Sequence, residues 1–399
     1  MISLKIGLNV ESAHRAMQNK KLKIFIIAGE VSGDVLGARV MQRMQNYAEF
    51  VGIGGENMTA CGLKSIFPMA DLAVMGILEV LAHVHTLTRR IHQTVNAIID
   101  EKPDLVLTID SPGFARSVIK KLRQSRRGAD MIANGLRFHH IVAPQVWAWR
   151  PGRAKKYAKT FDKLYAFFDF EIPYFTKYGL DTIAVGHPIA ENIMNAVESK
   201  TTTQNEKIIT IVPGSRMSEV KRLMPLFHGV VSVINSCGYR GYKFAIPVVE
   251  TTREYVKNAV KTWPIKPELV DSTARYELYR KTYIALVASG TVSAELAMLH
   301  IPTIVTYKMN QITTLLLRMA IRVRWVSLVN ILLNRSVYPE FLGDAATVDN
   351  IMNAIDEIAV PANRAKMIAE LSAADNMWMR NGTPASQIIA DDIMKVVSC

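Results

Sequence analysis

Short apolar, β-branched runs recur along the chain, each followed by a glycine-containing turn and a stretch with helical spacing. The clearest are Lys23–Ala28, Leu105–Ile109, His139–Ala143 and Lys163–Phe167. A second series follows at Ile208–Val212, Lys243–Val248, Ile284–Ala288 and Thr303–Thr306. Strands buried on both faces read as continuous apolar runs, and helices between them require parallel crossovers. The pattern therefore predicts an α/β protein with two doubly wound domains facing a central cleft. The stretch Glu198–Lys207 contains no apolar residue and divides the two series, as an exposed loop near a junction would. We expect residues 1–20 to be an expendable extension, 21–186 the first domain and 187–373 the second. Residues 374–399 are helical in pattern; they can pack back on either domain, the first being the expected one.

Composition narrows the class. The chain has 399 residues, 49% hydrophobic and 21% charged, which excludes a disordered or fibrous protein. Three scattered cysteines (Cys61, Cys237 and Cys399) form no C-x-x-C and predict neither a disulfide framework nor a thiolate zinc site. No apolar run reaches the roughly 18 residues that span a bilayer, so a cytoplasmic location is expected. The net charge of +13 asks for an anionic partner: nucleic acid, a phosphorylated substrate or an anionic membrane face.

Five turns at predicted strand ends carry the candidate chemistry. In open α/β sheets, ligands bind at the carboxyl ends of strands, where turns and helix N-termini offer N–H groups. The first turn, Ala28-Gly29-Glu30-Val31-Ser32-Gly33-Asp34, puts Glu30 at a strand end between glycines that admit a ligand; Ser32 or Asp34 as helix caps is the plainer reading. In the second, Asp110 ends a strand and precedes Ser111-Pro112, so it is either a cap or a general base. The third, Pro144-Gln145-Val146-Trp147-Ala148-Trp149-Arg150, sets two tryptophans beside a basic run. That is core packing and a solvated face, or a nucleic-acid reader that combines aromatics with arginine and lysine. The fourth, Pro213-Gly214-Ser215-Arg216, joins a glycine turn to a fixed cation suited to a departing diphosphate; a β–α turn with a surface arginine is the alternative. In the fifth, Ser289-Gly290-Thr291-Val292-Ser293 opens a helix fit for a phosphate, and Glu295 stands one turn in, where a carboxylate can accept from both hydroxyls of a ribose. A Ser/Thr cap followed by an early glutamate is the competing reading.

Histidine and carboxylate spacings predict no metal site, and no nucleic-acid signature accompanies the basic run. Between Glu295 and Glu340 there is no acidic residue, while Arg318, Arg322, Arg324 and Trp325 stand among apolar residues. This describes an element lying in a membrane interface, or a core helix whose arginines snorkel. Leu72–Val84, which includes Met75, is a second apolar stretch fit for an acyl pocket or for the core.

Taken together, AGEVSGDVLGA (28–38), LAVMGILEVL (72–81), IDSPGFA (109–115), PQVWAWR (144–150), GHP (186–188), PGSRMSEV (213–220), ASGTVSAEL (288–296) and VSLVNILL (326–333) resemble the lipid-A-disaccharide synthase family. The resemblance implies a GT-B fold, two Rossmann-like domains, and an inverting, metal-independent glycosyltransferase without a cofactor. It implies UDP-2,3-diacylglucosamine as donor and 2,3-diacylglucosamine 1-phosphate as acceptor, giving a β-1,6-linked disaccharide 1-phosphate and UDP. In that reading Asp110 is the base, and Glu30 meets a sugar. Arg216, with Gly214 and Ser215, and the Ser289–Thr291 turn meet the diphosphate. Glu295 takes the ribose, and Asn330 makes a polar contact. Gly29, Ser32, Met75, Trp147 and Trp149 fall on the acceptor or lipid side. Arg318, Arg322, Arg324 and Trp325 would dock a monomer or homodimer on the anionic inner membrane. Gly113, Ala115, Tyr283 and Val329 depart from the family pattern and bear on loop geometry. The alternatives are another GT-B enzyme acting on UDP-N-acetylglucosamine, and an idle membrane-surface binding protein.

Overall fold

The computed structural model describes residues 21–72, 84–197, 206–237, 241–288, 290–308 and 324–397. The expectations for residues 1–20, Met75, Ser289, Arg318 and Arg322 lie outside these. The described chain forms two compact units. One contains the residues up to Val146, Arg150–Val185 and the chain from Thr383 onward. The other contains Trp147–Trp149 and Gly186–Gly382.

The first unit is built on six described strands: β1 (Leu22–Ala28), β2 (Ala48–Ile53), β3 (Leu105–Ile109), β4 (Arg137–Ile141), β5 (Lys163–Ala166) and β6 (Asp181–Ala184). They lie in the order β2-β1-β3-β4-β5-β6, and every pairing is parallel. Side chains alternate across the sheet and feed two cores. Phe25, Ile27, Val106, Phe138 and Leu164 enter the core shared with the helix Pro112–Gln124. Ile24, Ile26, Leu107, Ile109, Ile141 and Tyr165 enter the opposite core, covered by the helices Val31–Met44 and Ala385–Val397. The C-terminal helix is held there by charge as well. Lys163 Nζ donates to Asp392 Oδ1 at 2.8 Å, and the Tyr165 hydroxyl donates to Asp392 Oδ2 at 2.9 Å.

The second unit repeats the plan with β7 (Lys207–Val212), β8 (Tyr242–Val248), β9 (Glu268–Asp271), β10 (Thr282–Ala288), β11 (Thr303–Tyr307) and β12 (Glu340–Leu342). The order is β12-β11-β10-β7-β8-β9, again all parallel. Counted within the unit this is the 3-2-1-4-5-6 arrangement of a dinucleotide-binding sheet, read from the β9 edge. The helices Met217–Ser236 and Val348–Ala359 bury Phe227, Val230, Ile351 and Ile355 against Ile209, Ile211 and Leu286. Val329 sits fully buried in the helix Leu328–Leu333, and Tyr283 lies under the Arg364 guanidinium, 4.0 Å from its ring centre.

Four strands lacked an apolar run in the sequence: β2, β6, β9 and β12. All four are sheet edges. An edge strand has one neighbour and can carry polar residues, as the exposed and half-buried positions of Glu268–Asp271 show. The expected strand His139–Ala143 is corrected to Arg137–Ile141, because Val142 turns to a φ of 85° and leaves the extended conformation. No described helix is long and apolar enough to cross a membrane.

Candidate active site at the strand ends

In each sheet, strand order reverses direction at one point, and the two strands flanking it leave a crevice at their carboxyl ends. In the first unit that point lies between β1 and β3. The residues there are Gly29 and Glu30 after β1, and Asp110 and Ser111 after β3. In the second unit it lies between β7 and β10. There Gly214-Ser215-Arg216 follows β7 and Gly290-Thr291 follows β10. The first, second, fourth and fifth sequence motifs thus occupy the two switch points.

Asp110 is held in an unusual conformation. Asp110 and Ser111 are consecutive non-glycine residues with φ of 54° and 43°. Left-handed backbone at such residues costs on the order of 1–3 kcal/mol each and persists only where surroundings impose it. Here the Asp110 N–H donates to the Ile141 carbonyl at 3.2 Å, and the Ser111 N–H donates to Asp110 Oδ1 at 2.8 Å. The helix Pro112–Gln124 receives no side-chain cap from Ser111 or Asp110, so the capping reading is not realised. The Asp110 carboxylate remains half-buried at the strand end.

Glu30 answers it from β1. Burial, and then the nearby Asp110 charge, raise the Glu30 pKa above the ordinary carboxylate range. Neighbouring carboxyls in different surroundings are a common feature of acid–base sites. Beside Glu30, Ser32 is exposed and Val31 is 71% exposed.

The glycines of this motif serve the scaffold. A Cβ on Gly33 would meet Ile109 Cγ2 at 3.3 Å, and one on Gly37 would meet Met58 Sδ at 2.7 Å. Their four-residue spacing lets the helix Val31–Met44 lie close against β3. Asp34, expected to cap that helix, caps another element instead. Its buried carboxylate accepts from the N–H groups of Gly55, Asn57 and Met58 at 2.7, 2.9 and 3.1 Å, and from Asn57 Nδ2 at 2.9 Å. It therefore anchors the start of the helix Glu56–Ala60.

In the second unit, Gly214 has a φ of 104°, and a Cβ there would lie 2.7 Å from Glu219 Oε2. Arg216 precedes the helix Met217–Ser236 with its side chain 71% exposed, paired to Glu219 at 3.0 Å. An exposed pair of this kind contributes little, so the guanidinium is available to a stronger anion. Gly290 is exposed and precedes the helix Thr291–Met298. Ser293 Oγ donates back to the Gly290 carbonyl at 2.7 Å, fixing the turn.

Two assignments change in character. Glu295 is buried, and Arg275 Nε and Nη2 donate to it at 3.3 and 3.2 Å, while the Tyr276 hydroxyl donates at 2.9 Å. A carboxylate has about four acceptor positions, and these contacts occupy three. Burial and the Glu295 charge push the Tyr276 phenol up to about 12, so it stays a donor. Arg275 and Tyr276 carried no signal in the sequence beyond their type, since they lie 20 and 19 residues from Glu295. Asn330, expected as a ligand contact, is corrected to a structural residue. It has no exposed surface; its Oδ1 accepts from the Val337 and Tyr338 N–H groups, and its Nδ2 donates to the Tyr338 carbonyl and Glu340, all at 2.8 Å.

The remaining candidates are scattered. Trp147 is half-buried and Trp149 48% exposed. The Arg324 guanidinium lies 5.3 Å from the centre of the Trp325 ring. His139 and His140 point to opposite faces of β4, as a strand requires: one meets the Tyr165 hydroxyl at 3.0 Å, the other Thr108 Oγ1 at 2.6 Å.

A family model described as lipid-A-disaccharide synthetase matches residues 24–376. A lipid-A-disaccharide synthase of Rhodospirillum centenum is 38% identical over 391 residues, covering 95% of this chain and 96% of that protein. One from Rickettsia conorii is 36% identical over 374 residues, covering 86% and 80%. Among solved structures, a UDP-GlcNAc 2-epimerase from Neisseria meningitidis aligns with a TM-score of 0.60 at 13% identity, covering 94% of this chain and all of the other. A calicheamicin glycosyltransferase aligns with a TM-score of 0.57 at 12% identity, covering 95% and 99%. At such identities the structural likeness carries the fold alone, which is GT-B. The sequence relatives carry more: matched along most of its length, the chain belongs to the lipid-A-disaccharide synthase family of glycosyltransferases.

Proposed function

We propose that the protein joins UDP-2,3-diacylglucosamine to 2,3-diacylglucosamine 1-phosphate through a β-1,6 bond, with inversion and release of UDP. The acceptor 6-hydroxyl attacks the anomeric carbon as Asp110 takes its proton. The bond from that carbon to the diphosphate breaks, and UDP leaves with the electron pair. A sugar hydroxyl is a poor nucleophile at neutral pH, so a positioned base is needed. The observation that carries this reading is Asp110 itself, a strained, uncapped carboxylate at the switch point of the first sheet. Glu30, set at the end of β1 on the other side of the switch point, is suited to hydrogen-bond a sugar hydroxyl beside it.

On the donor side, Gly214, Ser215, Arg216 and the start of the helix Thr291–Met298 would neutralise the departing diphosphate. With these as counter-charge the reaction needs no divalent cation. Glu295 retains one acceptor position for a ribose hydroxyl, with Arg275 and Tyr276 fixing its plane. Trp147, Trp149 and Met75 are proposed for the acyl chains. Arg318, Arg322, Arg324 and Trp325 are proposed to rest on an anionic membrane surface.

The test is an assay of the purified chain with the two diacylated substrates, with UDP-N-acetylglucosamine as rival donor, and with and without EDTA. Disaccharide from the diacylated donor, unaffected by EDTA, supports the reading. Turnover of UDP-N-acetylglucosamine alone, or activity that magnesium restores, overturns it.

A further inference from the structure

Two arginines whose charges reach the same Tyr157 phenol as that of Asp110 have no ion-pair partner among the described residues. The helix Pro112–Gln124 carries Arg116, and the helix Arg153–Ala158 opens with Arg153. Both side chains are half-buried, and the Nε–H of each is buried without a hydrogen-bond partner. Neither guanidinium enters an ion pair among the described residues. A buried donor left without a partner is destabilising, and in folded proteins such atoms are rare.

The two helices meet at their C-terminal ends. At their far ends, Arg123 donates to the Lys159 and Thr160 carbonyls at 2.5 and 2.9 Å. Arg116 stands two turns before Arg123, about 10 Å back along its helix axis. Arg153 stands about 9 Å before Lys159 on the neighbouring axis. Both helices follow adjacent parallel strands, β3 and β4, and pack into the same core through Ala115 and Val118 on one and Ala154 and Tyr157 on the other. The two guanidiniums therefore come to the same end of the pair, where the strand-end turn of Asp110 also lies. The Tyr157 phenol feels the charges of Arg153, Asp110 and Arg116 at once. Arg123 shows what a satisfied arginine looks like on this helix. Arg116 and Arg153 are built alike and left open.

We propose that Arg116 and Arg153 form the binding site for the phosphomonoester of the acceptor. Two forked guanidiniums against the single Asp110 carboxylate leave surplus positive charge, which suits a dianionic phosphate. Holding the phosphate there would fix the acceptor sugar while its hydroxyl faces the base. The inference rests on the proposed reaction for the identity of the phosphate, but the arginines can be tested without it.

Glucosamine 1-phosphate is titrated calorimetrically into the full-length protein and into an Arg116→Gln/Arg153→Gln variant, with UDP titrated in parallel. Hydrogen bonds to charged groups are worth about 1.5–3 kcal/mol, so glucosamine 1-phosphate should bind roughly 10- to 100-fold more weakly to the variant. UDP affinity should not change. Equal binding to both proteins, or no saturable binding to the unaltered one, overturns the proposal; a parallel loss of UDP affinity would assign the arginines to the donor instead. An Arg116→Lys/Arg153→Lys variant keeps the charge if the first fails to fold, and should lose part of the affinity. In the assay, the glutamine variant should raise the KM for the phosphorylated acceptor and treat a dephosphorylated acceptor as the unaltered enzyme does. A fall in kcat alone contradicts the assignment. If the unaltered protein forms no disaccharide, the reaction reading fails while the titration still decides the arginines.

Discussion

A methyl group on Gly29 would lie 1.8 Å from Ser111 Oγ, so the strand-end glycine of β1 is dictated by the serine that follows the proposed base. The two motifs are one object: the turn after β3 holds its left-handed shape against a neighbour that must have no side chain. Gly29→Ala should destabilise the protein by about 1–3 kcal/mol through overpacking and lower activity with it. Adding Ser111→Gly removes the clashing atoms and should restore most of the stability. Denaturant midpoints of both variants check this, and a Gly29→Ala protein of normal stability would mean the turn adjusts freely.

Asp110→Asn keeps the size of the side chain and its acceptor for the Ser111 N–H but removes the proton acceptor. General-base catalysis contributes roughly 10²–10⁴-fold, so turnover should fall by that order while stability changes little. UDP affinity should be unchanged, because the proposed donor contacts belong to the second unit. Near-normal turnover would pass the role of base to Glu30, for which Glu30→Gln is the matching measurement.

Asn330→Ala should behave as a core lesion. It leaves the Val337 and Tyr338 N–H groups without their acceptor, at a cost of about 2–4 kcal/mol. The folded fraction should bind UDP normally. Weaker UDP binding at unchanged stability would return Asn330 to the ligand.

Acid stability carries a sign that can be worked out. Burial lowers the pKa of His139 and His140 from 6.5 to about 4 and about 3. The unfolded chain therefore binds protons first as the pH falls. The stability tied to these residues is whole above pH 6.5 and declines through the interval down to their folded pKa values. The slope is about 1.4 kcal/mol per pH unit for each histidine. Urea unfolding at pH 7.5 and 5 measures it, and His140→Phe, stacked in the same place on Phe161, should remove one histidine's share. An unchanged slope in that variant would show that His140 does not titrate on unfolding.

Membrane attachment is tested by changing Arg318, Arg322 and Arg324 together to Ser. Each basic residue near an anionic surface contributes on the order of 1 kcal/mol, so binding to anionic vesicles should fall and lose its salt dependence. Unchanged binding would place the segment in the core.

The central strands were legible because burial on both faces leaves no choice but a continuous apolar run, as in Leu105–Ile109 or Ile284–Ala288. The edge strands were not, since Glu268–Asp271 and Glu340–Leu342 satisfy one neighbour and owe nothing to a second core. The motif turns were legible too: glycine, proline and a carboxylate after a strand can be read locally. Their purposes were not. Asp34 reads as a cap for its own helix, and the structure gives it to the turn after β2.

By itself, the chain's pattern determined the parallel α/β plan, the order of its motifs and their places at strand ends, because periodicity and turn chemistry are local. Tertiary structure alone decided which polar groups are already occupied. Asn330 and Glu295 look equally fit for a ligand in sequence, yet one is wholly taken by Val337, Tyr338 and Glu340 and the other held by Arg275 and Tyr276. Arg116 and Arg123 look equally solvated, yet only Arg123 finds carbonyls to serve. A hydrogen-bonding group's function depends on whether its partners are met within the fold, and those partners arrive from residues far along the chain.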